Sequence, residues 1–403
     1  MNDDATPPPK VIGLDCHPDS FTAAIISGST PAQAIVERTF NKVPLGQLAK
    51  WAQQNTQSED LLVLEASGNS FEIVRCLKRV GRSAQVLESC QIGKLKEAHA
   101  NNDKISAVRI GKAYLAGTAK TVWVPDPITQ ERRDWFHAYR KTVKRTTQVT
   151  NRIRSYLSDN GVRLTSKTPL LEQQTLVTQE RSWSTRQSQV IDGLFMELRH
   201  AHEQRAHWSS LIAQEVIGDE RLLSLVRICG IRDVIAFSLG AIVGDIERFE
   251  SPKKLVAYAG LYPSFDDSGN GEWTGGIGGH GRRDLRSLLV EAAQAVLRSS
   301  HPLVKWGKAL FARKGSYKLL VAAMARKLTV AIWYLMKGRW SSLEEIDSAL
   351  SVKITKIITK VGAEGMKQMK GTRKSLREQI NRSLKETKIY QLDPERKFTP
   401  APG

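Results

Sequence analysis

The fold is decided by residues 11–40, VIGLDCHPDSFTAAIISGSTPAQAIVERTF. Three β-rich runs follow one another in this stretch, and turn residues at 28–31 separate the second run from the third. The first run, Val11 to Leu14, is apolar and ends in Asp15. This pattern predicts three consecutive strands joined by hairpins.

Strands and helices alternate after this meander. The run Leu61 to Leu64 reads as a buried strand that ends in Glu65, and a helix over 71–80 and a strand over 84–87 follow it. A meander followed by alternation predicts a mixed sheet covered by helices. We therefore expect an α/β domain at residues 11–125, preceded by a disordered, proline-rich arm at residues 1–10.

The rest of the chain has a helical pattern. Residues 126–221 predict two long helices that form either an antiparallel hairpin or a dimerising coiled coil. Residues 222–340 predict a mostly helical domain with one glycine-rich excursion, and residues 341–403 predict a basic helical tail. The first long helix carries apolar and small residues at heptad spacing: Trp135, Tyr139, Thr142, Thr146, Val149, Ile153 and Tyr156.

The charge balance indicates a polyanionic partner. The 403 residues include 60 Lys and Arg against 41 Asp and Glu, which gives a formal net charge of +19. Nucleic acid is the usual partner of such a chain, and an anionic membrane surface is the alternative. Insertion into a membrane is not expected, because Arg326 and Lys327 interrupt the apolar stretch 319–336.

The cysteines argue against a zinc cluster. None of the four forms a CxxC pair, and the N-terminus lacks the pattern of a signal peptide. Both observations favour a reducing, cytoplasmic setting. The cysteines are Cys16, Cys76, Cys90 and Cys229.

Three carboxylates are candidates for a metal site. Asp15 and Glu65 end predicted strands, and Asp103 opens a predicted helix after a polar turn. Strand ends and helix starts at one edge of a sheet converge in space, and Mg²⁺ prefers such hard oxygen ligands. A pair of these ions can bind both the attacking and the leaving oxygen of a phosphodiester. The alternative is that each acid caps a turn or a helix.

Ser268 is the candidate nucleophile. It precedes a glycine-rich stretch that leads into Arg282, Arg283 and Arg286. A serine beside arginines suits attack on phosphorus, because the guanidinium groups stabilise the developing negative charge. The alternative is an ordinary turn before a basic helix. The predicted nucleic-acid-binding set is Arg282, Arg283, Arg286, Lys253, Lys254 and His280.

Several motifs in this order resemble one family. They are Val11 to Asp15, Leu64 to Gly68, Asn102 to Ala107, and Gly260 to Pro263 followed by Ser268-Gly269. This order resembles the insertion-sequence transposases that join an N-terminal RuvC-like DEDD domain to a C-terminal serine transposase domain. The Piv/MooV site-specific DNA invertases are members of this group, and the resemblance covers about residues 10–338.

The resemblance implies a ribonuclease H-like (RuvC-like) fold for residues 11–125, with Asp15, Glu65 and Asp103 as ligands of Mg²⁺. It also implies that Ser268 forms a covalent phosphoserine link to DNA. Donor and target DNA would be paired by a non-coding bridge RNA, and homodimers would assemble into a homotetramer. The setting would be the bacterial cytoplasm, associated with the nucleoid.

One position departs from the family pattern. The family has a fourth acid three residues after the third, where this chain has Ser106. A neutral hydroxyl is a weak substitute for a carboxylate on magnesium. Two other functions are weighed: a metal-dependent junction-resolving nuclease without a covalent intermediate, in which Ser268 is only structural, and, because of Ser106, a nucleic-acid-binding protein without activity.

Overall fold

A computed structural model describes residues 9–94, 102–164, 168–266, 273–277, 280–338 and 349–386. The chain divides into two compact units, residues 1–126 and 127–403, and each has its own hydrophobic core. Of the expected arm, residues 1–8 lie outside the described residues. Lys10 is fixed to the first unit, because its backbone N–H donates to Asp60 Oδ1 at 2.9 Å.

The first unit is built on a six-stranded mixed sheet of order β3-β2-β1-β4-β5-β6. The first three strands pair antiparallel, as the hairpin pattern predicts, while β1, β4 and β5 are parallel neighbours. The short last strand is antiparallel to β5 and was not predicted. The strands are β1 Val11–Cys16, β2 Ser20–Ser27, β3 Ile35–Pro44, β4 Leu61–Glu65, β5 Ser83–Leu87 and β6 Thr121–Val122.

Helices cover both faces of this sheet, which explains why β1 and β4 are apolar without alternation. One face carries the side chains of Ile12 and Leu14 and packs against α1 and α2. The other face packs against α4, whose Ala107 and Ile110 are buried. The helices are α1 Leu48–Asn55, α2 Ser70–Arg79, α3 Ser89–Lys94 and α4 Asp103–Leu115.

The second unit begins with two long helices, α5 Pro127–Asp159 and α7 Thr185–Gly218, with the short α6 Gln174–Gln179 between them. Two ion pairs show that the long helices run antiparallel. Arg132 near the start of α5 contacts Glu215 near the end of α7 at 2.7 Å, while Arg152 contacts Glu197 at 2.9 Å. The helical hairpin alternative of the sequence interpretation is thus present within one chain.

The core of the second unit surrounds α9, which is almost entirely buried. α13 contributes Met324, Ala325 and Leu328 to this core. It is also the one described helix that is long and apolar enough to cross a membrane, and half of its apolar window is buried inside the protein. These helices are α8 Glu220–Leu225, α9 Asp233–Val243, α10 Pro252–Tyr258, α11 Arg283–Leu297, α12 Leu303–Lys314 and α13 Tyr317–Met336.

The C-terminal basic segment also enters this core. It forms α14 Leu350–Gln368 and α15 Arg373–Glu386, and the apolar face of α14 packs against α7. Lys353 is buried there, and its ammonium donates to the carbonyls of Val226 and Ile228 at 3.0 and 2.8 Å. The segment is therefore helical as predicted, but in the described part it is structural rather than an appended tail.

A small antiparallel hairpin completes the described part of the second unit. It consists of β7 Pro263–Asp266 and β8 Trp273–Ile277. The mixed sheet with helices at the N-terminus, followed by a mostly helical part, confirms the coarse fold class predicted from the sequence.

Candidate functional site

Two of the predicted acids meet because their strands are parallel neighbours. Leu14 of β1 pairs with Leu64 of β4, and Asp15 and Glu65 are the next residues of the two strands. Asp103 is the first residue of α4, whose N-terminus is capped by Asn102 Oδ1 accepting from the Ile105 N–H at 2.9 Å. This cap fixes the residue at which α4 begins, and that residue is Asp103.

α4 lies against β1 at unusually short range. A Cβ added to Gly13 would lie 1.9 Å from the carbonyl oxygen of Ala107, and one added to Gly111 would lie 2.5 Å from the Ile26 side chain. Only glycine permits so close an approach of strand and helix backbones. Because Asp103 precedes Ala107 by one helical turn, this contact places Asp103 near Asp15 at the end of β1.

A histidine that the sequence interpretation missed lies between these acids. His17 Nε2 is 3.6 Å from Asp103 Oδ1 and 3.9 Å from Asp15 Oδ2. One ligand atom from each of the three residues falls within 4.8 Å of the others, a spacing that a metal ion could bridge. The available signal was the Asp-x-His spacing after the first strand.

Ser106, the residue in place of the fourth acid, contacts Asp15. Its hydroxyl hydrogen-bonds the Asp15 carboxylate, and Arg109 lies near enough to act on it electrostatically. Burial raises the pKa of Asp15, and the Asp103 charge adds to this. His17, Ser106 and Arg109 oppose the rise without cancelling it. Asp15 is thus a carboxylate whose charge the protein compensates only in part.

The donor set fits a divalent cation. The Asp15 and Asp103 carboxylates are hard oxygen donors and remain partly open to solvent, so water could complete the coordination. Burial and the Asp15 charge raise the pKa of the adjacent Cys16 thiol to about 12, so this thiol is neutral at pH 7 in the metal-free protein. Glu65 ends β4, next to the strand that carries Asp15, but is not part of the three-residue group.

Ser268 lies outside the described residues. The described strands on either side of it, β7 and β8, pair with each other, and Asp266 is opposite Trp273. Ser268 therefore belongs to the connection of this hairpin by sequence.

Just before α11, the backbone at Gly281 passes very close to the backbone at Gly260. Gly260 and Gly281 both have positive φ, +68° and +89°, and a Cβ on Gly260 would lie 2.1 Å from the His280 carbonyl oxygen. Arg286 Nη1 donates to the carbonyls of Gly260 and His280 at 3.0 and 3.3 Å. The guanidinium thus joins the two sides of the crossing.

Arg282 has a partner of its own. Its guanidinium contacts Asp284 at 3.0 Å and donates to the Tyr258 hydroxyl at 3.5 Å. Burial would raise the pKa of Asp284, but the hydrogen bonds and the charge of Arg282 outweigh burial and lower it. Arg282 and Arg286 therefore have structural contacts besides the predicted binding of phosphate.

The other predicted nucleic-acid-binding residues are accessible. Arg283, His280, Lys253 and Lys254 are all exposed, the two lysines in the first turn of α10. Their side chains could contact a phosphate backbone, and this role stays a prediction.

Part of the second unit is similar to a known protein family. Residues 223–306 match the model of the family described as Transposase IS116/IS110/IS902. The matches support a transposase of the IS110/IS116 type. The matched range contains Ser268 and the crossing of Gly260 with Gly281, so this transposase match falls on the segment singled out from the sequence.

Similarity to individual transposases extends beyond that range. The chain is 27% identical over 342 residues to the transposase for insertion sequence element IS1111A of Coxiella burnetii, a match of 81% of this chain and 89% of that protein. It is 21% identical to the transposase for element IS1328 of Yersinia enterocolitica, over 80% and 95% of the two chains. It is 23% identical to the pilin gene-inverting protein of Moraxella bovis, over 81% and 96%.

Proposed function

We propose that this chain is a DNA recombinase of an insertion sequence that cuts and rejoins DNA through Ser268. The match of residues 223–306 to the transposase family is the observation that carries the proposal. The similarity to both transposases and a gene-inverting protein supports a reaction in which DNA strands are exchanged rather than only cut. The net charge of +19 suits binding of DNA and RNA.

The proposed chemistry is phosphoryl transfer to serine. The Ser268 oxygen forms a bond to the DNA phosphorus and loses its proton, while the bond to one sugar oxygen breaks and that oxygen is protonated. A hydroxyl of the new partner strand reverses the step and releases the serine. The phosphoserine link keeps the energy of the phosphodiester, so rejoining needs no nucleotide cofactor.

The first unit would contribute a ribonuclease H-like metal site. Asp15 and Asp103 would bind Mg²⁺, with Glu65 beside them. A bound divalent ion would act as a Lewis acid at a phosphate oxygen. Support comes from the convergence of the two acids at the edge of the mixed sheet.

The remaining parts of the proposal are partners and setting. They come from the family resemblance: a bridge RNA that pairs with donor and target DNA, homodimers that assemble into a homotetramer, and action at the bacterial nucleoid in the cytoplasm. The net positive charge suits both nucleic acids.

The test is a covalent adduct. Purified protein, with the RNA that copurifies, is mixed with Mg²⁺ and end-labelled supercoiled DNA carrying the element junction, and the products are denatured. Wild type is expected to give a protein–DNA adduct, and Ser268→Ala is expected to give none. Ser287→Ala, an exposed serine on α11, is the matched control and should behave as wild type.

A metal-dependent nuclease is the second candidate, favoured by the grouping of Asp15, His17 and Asp103. It predicts cleavage that survives in Ser268→Ala without any adduct. A binding protein without activity, suggested by Ser106, predicts tight retention of nucleic acid and no cleavage. Either result would overturn the serine mechanism.

A further inference from the structure

The backbone of His17 is fixed in the turn between β1 and β2. Its N–H donates to the Ser20 carbonyl at 2.8 Å, and its own carbonyl accepts from Asn69 Nδ2 at 3.2 Å. Asn69 is the N-cap residue of α2, so the turn is also connected to this helix. These two hydrogen bonds fix the backbone that carries the imidazole beside the candidate metal site.

The distances around His17 leave room for an ion. At 3.6 and 3.9 Å, Nε2 is too far from Asp103 and Asp15 for a hydrogen bond. Two donor atoms that bind one ion at about 2.1 Å can be at most about 4.2 Å apart, so both distances are compatible with a shared ion. His17 Nε2 is thus placed to share an ion with either carboxylate without a direct hydrogen bond to it.

A plain ion pair is the other explanation. It would involve a protonated His17 whose side chain is 48% exposed, and exposed pairs of this kind contribute little to stability. An ion pair would also be expected to close to hydrogen-bonding distance, because charge-assisted N–H···O bonds are short. The observed spacing favours a bridging ion.

Because position 106 is a serine, this position cannot supply a carboxylate ligand to the site. Its hydroxyl is used as a partner of Asp15. His17 contributes a neutral donor instead. Imidazole is a poorer ligand for Mg²⁺ than for divalent transition-metal ions, and Mn²⁺ is the transition-metal ion that also takes carboxylate and water ligands as Mg²⁺ does.

We propose that His17 is a metal ligand through Nε2, and that the Asp15–His17–Asp103 site binds Mn²⁺ in preference to Mg²⁺. The inference rests on the proposed function only in taking Asp15 and Asp103 as metal ligands. It does not depend on Ser268 or on catalysis.

The experiment is direct metal binding to the full chain freed of metal by a chelator. Mn²⁺ or Mg²⁺ alone is titrated by calorimetry, and the Mn²⁺ complex is examined by pulsed electron paramagnetic resonance for coupling to a histidine nitrogen. The variants are His17→Asn and Asp15→Asn. His202→Asn, an exposed histidine of α7, is the matched control.

Wild type is expected to bind Mn²⁺ at least about tenfold more tightly than Mg²⁺ and to show nitrogen coupling. His17→Asn should lose the coupling and bind Mn²⁺ about 10- to 100-fold more weakly, with Mg²⁺ binding changed much less. Asp15→Asn should weaken binding of both ions, and His202→Asn neither.

Two results would overturn the proposal, and they differ from each other. Mn²⁺ binding without nitrogen coupling, unchanged in His17→Asn but lost in Asp15→Asn, would leave the carboxylate site and remove His17 from it. Absence of Mn²⁺ and Mg²⁺ binding in wild type would remove the metal site of the proposed function as well. The adduct test of Ser268 is independent of both.

Discussion

Gly13 shows how one residue positions the candidate site. It lies where β1 and α4 cross, and the carbonyl of Ala107 occupies the space that a side chain would need. Both metal-site acids are attached to these two elements, Asp15 two residues after Gly13 and Asp103 one turn before Ala107. The distance between the two carboxylates therefore depends on a contact that neither of them makes.

We expect Gly13→Ala to destabilise the first unit by about 1–3 kcal/mol or more, because backbone atoms cannot move aside as a side chain can. Separation of β1 from α4 should also weaken metal binding. The measurement is thermal or denaturant unfolding, together with a Mn²⁺ titration. Gly46→Ala is the control, since no atom lies within 4 Å of its added Cβ. Equal stability of the two variants would contradict this account.

The positions of Asp15 and Glu65 at strand ends and of Asp103 at a helix start could be predicted from the sequence, because the apolar pattern shows where these elements begin and end. Their role as metal ligands stays a prediction. The structure brings Asp15 and Asp103 together with a histidine, while it describes nothing of Ser268. His17 was missed because it lies in a turn, where periodicity gives no orientation. The hydrogen bond of Ser106 to Asp15 likewise depends on how α4 packs, which no spacing along the chain reveals.

At the scale of elements, the start of α11 is stabilised by charges rather than by a capping side chain. Arg282 at the N-cap position makes no capping hydrogen bond, and Asp284 in the first turn lies favourably toward the positive end of the helix dipole. Asp284 also accepts from the Leu285 N–H at 2.9 Å and pairs with Arg282. This arrangement fixes the helix that follows the glycine-rich stretch.

Asp284→Asn should therefore destabilise the second unit at neutral pH, by about 1–3 kcal/mol. The pKa of Asp284 is lowered in the folded state, so its charge stabilises the fold above the ordinary value of 3.8, and this contribution disappears as pH falls through the folded-state value. The difference between wild type and variant should shrink on acidification below about pH 4.

Urea unfolding of both proteins between pH 7 and pH 3 measures this difference. Asp192→Asn, on an exposed part of α7, is the control. A difference that stays constant across the range would show that the carboxylate charge is not responsible.

The long helices were predictable at this scale, because heptad spacing over many residues is a strong signal. α5 buries four residues of that pattern, and the structure pairs it with α7. The choice between a hairpin and a dimer could not be made from one sequence, because both bury the same stripe.

At the scale of the whole molecule, the C-terminal basic segment belongs to the core of the second unit. Its lysine content suggested a solvated tail, yet α14 has an apolar stripe at the spacing of a helix face. The charged residues are exposed, with the exception of the buried Lys353. The stripe consists of Ile354, Ile357, Ile358 and Val361.

A chain that ends at Gly338 should fail to fold its second unit. Burial of four such side chains contributes roughly 6–12 kcal/mol, which is comparable to the total stability of a domain. Circular dichroism and solubility of the truncated protein measure the effect. A chain that ends at Glu386 keeps α14 and α15 and is the control. If the shorter chain folded and only bound DNA more weakly, the segment would be a tail after all.

The order of the elements has a consequence for synthesis. Every strand of the six-stranded sheet, and α4 with Asp103, precedes residue 127. Domains generally fold from the N-terminus during translation. Because synthesis adds roughly 5–20 residues per second, the first unit is complete roughly 7–28 seconds before Ser268 is made. A nascent chain would then have its carboxylates and His17 assembled while it still lacks the serine. Any cleavage by such ribosome-bound fragments would be hydrolytic, and strand joining would begin only with the finished polypeptide.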